Sequence, residues 1–243
     1  MTERLAGLYG ARESHESRLM MPTHLRKPLV APKEWDGTDG IEATHWGMDG
    51  NDQFGCCGAA AIDHGQMAKA GSVSLYNRLG RPQFDGTLGT YFAYGTDQGE
   101  PGPQPDQGVD NSSWLSFLYR KGIILGYGEV PLDEVNAYAA AFDGVLLAIQ
   151  CGDDFQSLFA RKLPWGSSHS SPDPSEGHDI YYVSYEADGT GQVVTWGKTQ
   201  AITADFISKY VTDAWVFFGT EDPAVTWDSM RKALKGIHGP VEA

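Results

Sequence analysis

Apolar positions recur with a helical spacing in several stretches of the first two thirds of the chain. Cys57 to Ala70 is built of strong helix formers around Ile62, Met67 and Ala68, with Gly65 as its one weak point. Asn111 to Lys121 carries Trp114, Leu115, Phe117 and Leu118 on one broad face, and Gly122 is placed to stop it. Leu132 to Phe142 is a further helix, with Val135, Tyr138 and Ala139. The pattern then changes. Val145 to Ile149 is an unbroken apolar run of strand length, and Ile180–Tyr185 and Gln192–Trp196 are β-prone. Asp188-Gly189 between those two is a hairpin signal. Ala204 to Val211 reads as a short helix, Ala214 to Phe218 as a strand, and Thr226 to Ile237 as a terminal helix. Helices followed by a mostly antiparallel sheet define an α+β chain.

The remaining segments read as connections. Residues 1–33 form an arm without a period, held extended near Pro22, Pro28 and Pro32. It either crosses its own domain or reaches a second copy as a homo-oligomer contact. Residues 34–222 make the main domain, and 223–243 a C-terminal helix and tail. Trp35–Gly55, Gly80–Asp110 and Leu163–Glu176 read as loops, the second ending in the Pro/Gly-rich segment 99–105. A loop as long as 80–110 inside a domain suggests binding or intersubunit contact.

The chain has 243 residues, 41% of them hydrophobic, enough for one large domain or two lobes around a cleft. A formal net charge of −14 argues against nucleic-acid binding. No apolar run is long enough to span a bilayer and no signal peptide is visible, so a cytoplasmic location is expected. Three cysteines, two of them adjacent, read as free thiols. They have no zinc-ligand spacing, and neither a P-loop nor a dinucleotide fingerprint occurs, so no cofactor is expected.

Two segments carry candidate chemistry. Asn51-Asp52-Gln53-Phe54-Gly55-Cys56-Cys57-Gly58 sets a cysteine at the mouth of a helix, where partial positive charge favours a thiolate. Gly177-His178-Asp179 opens a strand 121 residues after Cys57 and supplies an imidazole base. Asn51, six residues before Cys57, is a candidate oxyanion donor beside the Cys57 backbone N–H. Gly55 and Gly58 would leave room for a substrate backbone, next to Trp196. Cys56 ranks second as nucleophile, and its proximity offers an oxidation route that would silence Cys57.

This order of motifs resembles the papain-like cysteine peptidase superfamily. The resemblance rests on Asn51 six positions before Cys57, on Gly177-His178, and on Thr195-Trp196-Gly197 matching the end of the family's Asn-Ser-Trp-Gly segment. Trp46-Gly47-Met48, Asn51-Asp52, Gly55, Cys57 and Gly177-His178 look more particularly like papain-like proteins of tailed bacteriophages and related actinobacterial elements, over about residues 30–220. It implies a helical lobe with a central cysteine-bearing helix and an antiparallel β lobe. It also implies a Cys57–His178 hydrolase of an amide bond in a protein or a peptidoglycan peptide. The alternative it implies is a silent virion subunit of capsid, decoration or tail, partnered by other virion subunits. Two departures stand out. The family's histidine-orienting Asn falls on Val194, which accepts no hydrogen bond. Thr195, one residue on, points the other way if the strand alternates, so the expected orienter is a poorly substituting Thr195, a backbone carbonyl or a water.

Overall fold

The computed structural model describes residues 11–12, 29–38, 41, 46–71, 84–166 and 170–219. The expected terminal helix over 226–237 and most of the arm lie outside the described residues. In chain order the elements are β1 (Ala11–Arg12), β2 (Trp35–Asp36), α1 (Cys57–Ala70), α2 (Phe84–Asp97), β3 (Val109–Asp110), α3 (Asn111–Arg120) and β4 (Ile124–Glu129). A 3-10 turn at Leu132–Glu134 leads into α4 (Val135–Phe142), followed by β5 (Val145–Gln150), α5 (Phe155–Ala160), β6 (Gly177–Tyr185), β7 (Gly191–Thr195), β8 (Lys198–Ile202), α6 (Phe206–Tyr210) and β9 (Val211–Gly219).

The main sheet runs β4-β9-β5-β6-β7-β8, antiparallel throughout, with β2 pairing the far end of β6. β1 pairs β3 in a separate parallel ladder. Strand alternation divides the core in two. Leu146, Tyr181, Val183, Val194, Trp215 and Phe217 face α1, α2 and α3. Leu147, Ile149, Ile180, Tyr182, Val193 and Val216 face the opposite way, against α4, α5 and α6. Both faces of β5 are therefore covered, which explains its unbroken apolar run.

Twelve of the 14 residues of α1 are buried, so this helix lies inside the molecule. Its small residues allow close approach to the sheet. A Cβ on Gly65 would come within 2.5 Å of Phe217 Cζ and 2.6 Å of Tyr181 Cε2, both in fully buried rings. Gly65→Ala is expected to cost about 1–3 kcal/mol through overpacking, read as a lower urea midpoint with an unchanged slope.

The expectation of a loop over 80–110 is overturned by α2. Three glycines and three threonines lower its helix propensity, but Leu88, Tyr91 and Tyr94 are buried against the core, and burial outweighs propensity. Gly95 serves that packing, since a Cβ there would lie 2.7 Å from Pro105 Cβ. The Pro/Gly-rich segment remains irregular. α3 forms where its apolar face predicts. The Asp110 carboxylate accepts from the Ser113 N–H at 2.9 Å, and Gly122 (φ 68°) ends the helix.

Candidate active site

Residues 47–55 make a tight turn into α1, with Asp49 (φ 51°) and Gly50 (φ 83°) in the left-handed region. The Gly55 N–H donates to Asp106 Oδ1 at 2.7 Å, and the Tyr91 hydroxyl donates to the same oxygen at 2.9 Å. The loop after α2 thus pins the approach to Cys57. Cys56 takes the N-cap position, with no side-chain cap on the helix and no acidic residue in its first turn. The positive end of the helix is consequently left for Cys57, which is 1% exposed.

Cys56 points elsewhere. Its thiol donates to the Asp49 carbonyl at 3.5 Å, and its pKa is pushed up to about 12, chiefly by burial and then by Asp106. A thiol held protonated in this way is a poor nucleophile and is slow to oxidise. None of the three cysteines is in a disulfide, and burial pushes Cys151 well above the usual thiol range.

Asn51 is buried in the turn, and its Nδ2 donates to the Phe54 carbonyl at 3.4 Å. Gly58 corrects an expectation. Its missing Cβ leaves no room for substrate, because that atom would lie 2.4 Å from Val109 Cγ2 and 2.9 Å from Asp179 Oδ2. The glycine lets β3 and β6 close on the start of α1.

His178 is the second residue of β6, paired with Ile149 and fully buried. Its Nε2 is 2.7 Å from Thr195 Oγ1. The Trp196 ring covers the imidazole at 5.1 Å between centroids. Thr195 therefore lies within hydrogen-bond reach of the imidazole. Val194 pairs Tyr181 on the α1 side of the sheet, so Thr195 falls on the same face as His178. Trp196 is buried among His178, Phe159 and Trp165, so it supports the imidazole and is not a substrate platform.

The geometry of the following turn makes this possible. Thr195 pairs Lys198, leaving Trp196 (φ 46°) and Gly197 (φ 71°) as a two-residue hairpin turn with both φ positive. A tryptophan held there is strained, a condition typical of functional sites. A Cβ on Gly197 would meet the Trp46 carbonyl at 3.0 Å, which fits glycine to this close approach.

α1 packs on β6 so that Cys57 and His178 lie close by. The thiol also meets a residue that sequence reasoning missed. Cys57 Sγ is 4.0 Å from Asp179 Oδ2, and Asn111 Nδ2 donates to Asp179 Oδ1 at 2.8 Å. Burial, opposed by the Asn111 bond and helped by Asp213 and Asp110, raises the Asp179 pKa to about 8. The signal in the sequence was a carboxylate inside an otherwise apolar strand. Among the described residues no cluster of His, Cys, Asp and Glu fit to hold a metal is present, and no helix is long and apolar enough to cross a membrane.

The architecture is papain-like: a helical lobe with Cys57 on its central helix, against an antiparallel sheet. No protein-family model matches the sequence, and no curated protein matches it. Among solved structures, the chain is similar to xylellain, a cysteine protease from Xylella fastidiosa. The TM-score is 0.62 at 14% identity, over 90% of this chain and 99% of that one. It is also similar to digestive procathepsin L 3 from the larval midgut of Tenebrio molitor, with a TM-score of 0.56 at 12% identity, over 88% of this chain and 77% of that one.

Proposed function

We propose that the protein is a cysteine hydrolase of amide bonds, in a peptide or a peptidoglycan peptide. The observation that carries this reading is the pairing of two oriented groups. Cys57 opens an uncapped buried helix, and His178 is held by Thr195 and Trp196 on the strand beside it. With Nε2–H donating to Thr195, Nδ1 becomes the basic nitrogen and takes the Cys57 proton. The thiolate attacks the amide carbonyl, and the oxyanion is met by the Cys57 backbone N–H and by Asn51 once its amide leaves the Phe54 carbonyl. The imidazolium then protonates the departing amine, and water, activated by the same imidazole, releases the acyl group.

The test is the rate of Cys57 alkylation by iodoacetamide at pH 5–6, followed by hydrolysis of fluorogenic peptide amides and of peptidoglycan fragments. A rate already high at pH 5–6 is expected. One that appears only near an ordinary thiol pKa of about 8.5 counts against the reading. Thr195→Val keeps the shape and removes the hydroxyl. It is expected to lower kcat about 10- to 100-fold with little change in KM, because a hydrogen bond to a charged imidazolium is worth about 1.5–3 kcal/mol.

The near-complete burial of both Cys57 and His178 favours a second reading. In it the scaffold serves as a virion subunit of capsid, decoration or tail, possessing the site but not using it, and the alkylation test separates the two.

A further inference from the structure

We propose that the outer edge of β8 docks an acidic, extended peptide segment, which adds to the sheet as a further strand. The site is separate from Cys57 and His178 and does not depend on the hydrolase reading.

β8 ends the main sheet, and its register with β7 decides which of its backbone groups stay open. Thr195 and Lys198 close the two-residue hairpin as a hydrogen-bonded pair, so Thr199 and Ala201 turn their N–H and C=O groups away from β7. On that outer side the Ala201 carbonyl accepts from the Trp165 N–H at 2.9 Å, and the Thr203 N–H donates to the Trp165 carbonyl at 2.9 Å. Trp165 bridges Ile202 in parallel, so it covers the second half of the edge only. The first half, around Thr199, has no strand beside it among the described residues. Open donors and acceptors on a sheet edge are what an extended chain pairs with.

A cavity of about 620 Å³ lies against that open half. Gly197, Lys198, Thr199 and Gln200 line it from β8 and the turn before it, and Phe159 and Lys162 line it from the end of α5. Gln200 ties the two walls together, since its Nε2 donates to the Leu163 and Ala201 carbonyls, both at 2.8 Å. The groove is therefore held open by the fold itself and has a strand edge along one side.

Charge selects the occupant. The chain has 32 acidic and 18 basic side chains, yet the charged residues lining this cavity are Lys162 and Lys198, both exposed, and none of the described residues lining it is acidic. Lys198 lies on the same face of β8 as Gln200, which pairs Val193, and so faces the α5 side where Lys162 is. At 0.15 M salt the Debye length is about 8 Å, so a segment in the cavity answers to these two ammonium groups before the carboxylates elsewhere. An added strand turns every second side chain to one face, and acidic residues at alternate positions would meet both lysines.

The experiment is fluorescence anisotropy at neutral pH with two labelled, end-blocked peptides, one alternating Glu and Thr, the other alternating Lys and Thr. The protein is the full chain carrying Cys57→Ala, so that no cleavage intrudes, alone and with Lys162→Glu/Lys198→Glu or Thr199→Pro. The acidic peptide is expected to bind about tenfold more tightly than the basic one, and the double charge reversal to remove that preference. Thr199→Pro deletes an outward N–H and spares the ladder to β7, so it is expected to weaken binding about three- to tenfold. Urea midpoints check that each variant is folded, and Lys198→Glu alone, at an exposed position, keeps the charge test if another variant is not. Equal binding of the two peptides, no binding of the acidic one, or an affinity that neither the lysine reversals nor Thr199→Pro changes each overturns the proposal. A concentration-dependent dimer in sedimentation that Thr199→Pro abolishes overturns it too, because a second copy of the chain then takes the edge.

Discussion

Cys57→Ala and His178→Ala are each expected to lower amide hydrolysis by about four orders of magnitude or more, and the double variant to be scarcely worse than either. The thiolate needs a base to take its proton, and the base has no task without a nucleophile. The two losses therefore overlap. Neither is expected to unfold the protein. Cys57 is a small residue at a helix start, and the Trp196 ring remains seated against Phe159 and Trp165 after the imidazole is removed. The Thr195→Val effect is smaller because it loosens the imidazole without removing it. Steady-state kinetics on the best peptide amide, with circular dichroism as a fold control, make the measurement. Retention of a tenth of the wild-type rate in His178→Ala would rule out general-base catalysis by that residue.

Much of the fold was legible where local pattern and burial agree. α1 starts at the expected Cys57, α3 follows its apolar face, and the β6–β7 hairpin turns at Asp188-Gly189, with Gly189 at φ 84°. The misses have a common physical cause, in tertiary contacts that composition does not announce. α2 is rich in glycine and threonine and is helical because its aromatic rings are buried. β4 has glycine at two of its six positions, and β8 is largely polar; both are edge strands, where alternation is weak. In the site, the positions of Cys57 and His178 could be read from spacing. The face on which Thr195 lies could not, because it depends on register, and a shift of one residue reverses it. Nor could the role of Gly58, whose vacant side is filled by residues about 50 and 120 positions away.

The fold is expected to lose stability as pH rises from about 4 to 8, and Asp179→Asn to remove much of that loss. In the unfolded chain the Asp179 carboxyl ionises near 3.8, while in the fold it keeps its proton to about 8. Below pH 4 both states hold the proton and the residue makes no difference. Between those limits the unfolded state has released a proton that the fold retains, so each pH unit removes up to about 1.4 kcal/mol. Asp49, raised by burial to about 6, and Asp213, also raised, act in the same direction. His64 acts the other way. Burial lowers its pKa from 6.5, so it removes stability as pH falls below that value. One imidazole opposes three carboxyls below pH 6, and none of this opposition remains between 6.5 and 8. Urea unfolding of the two proteins at pH 4.5, 6.5 and 8 isolates the Asp179 contribution, since every other group is shared. The Asn variant is expected to gain steadily on the wild type, reaching a lead of about 3–5 kcal/mol at pH 8 relative to their difference at pH 4.5. A difference that stays constant with pH would mean that Asp179 is already ionised in the fold, with its carboxylate stabilised well enough by Asn111 to remain charged beside the thiol.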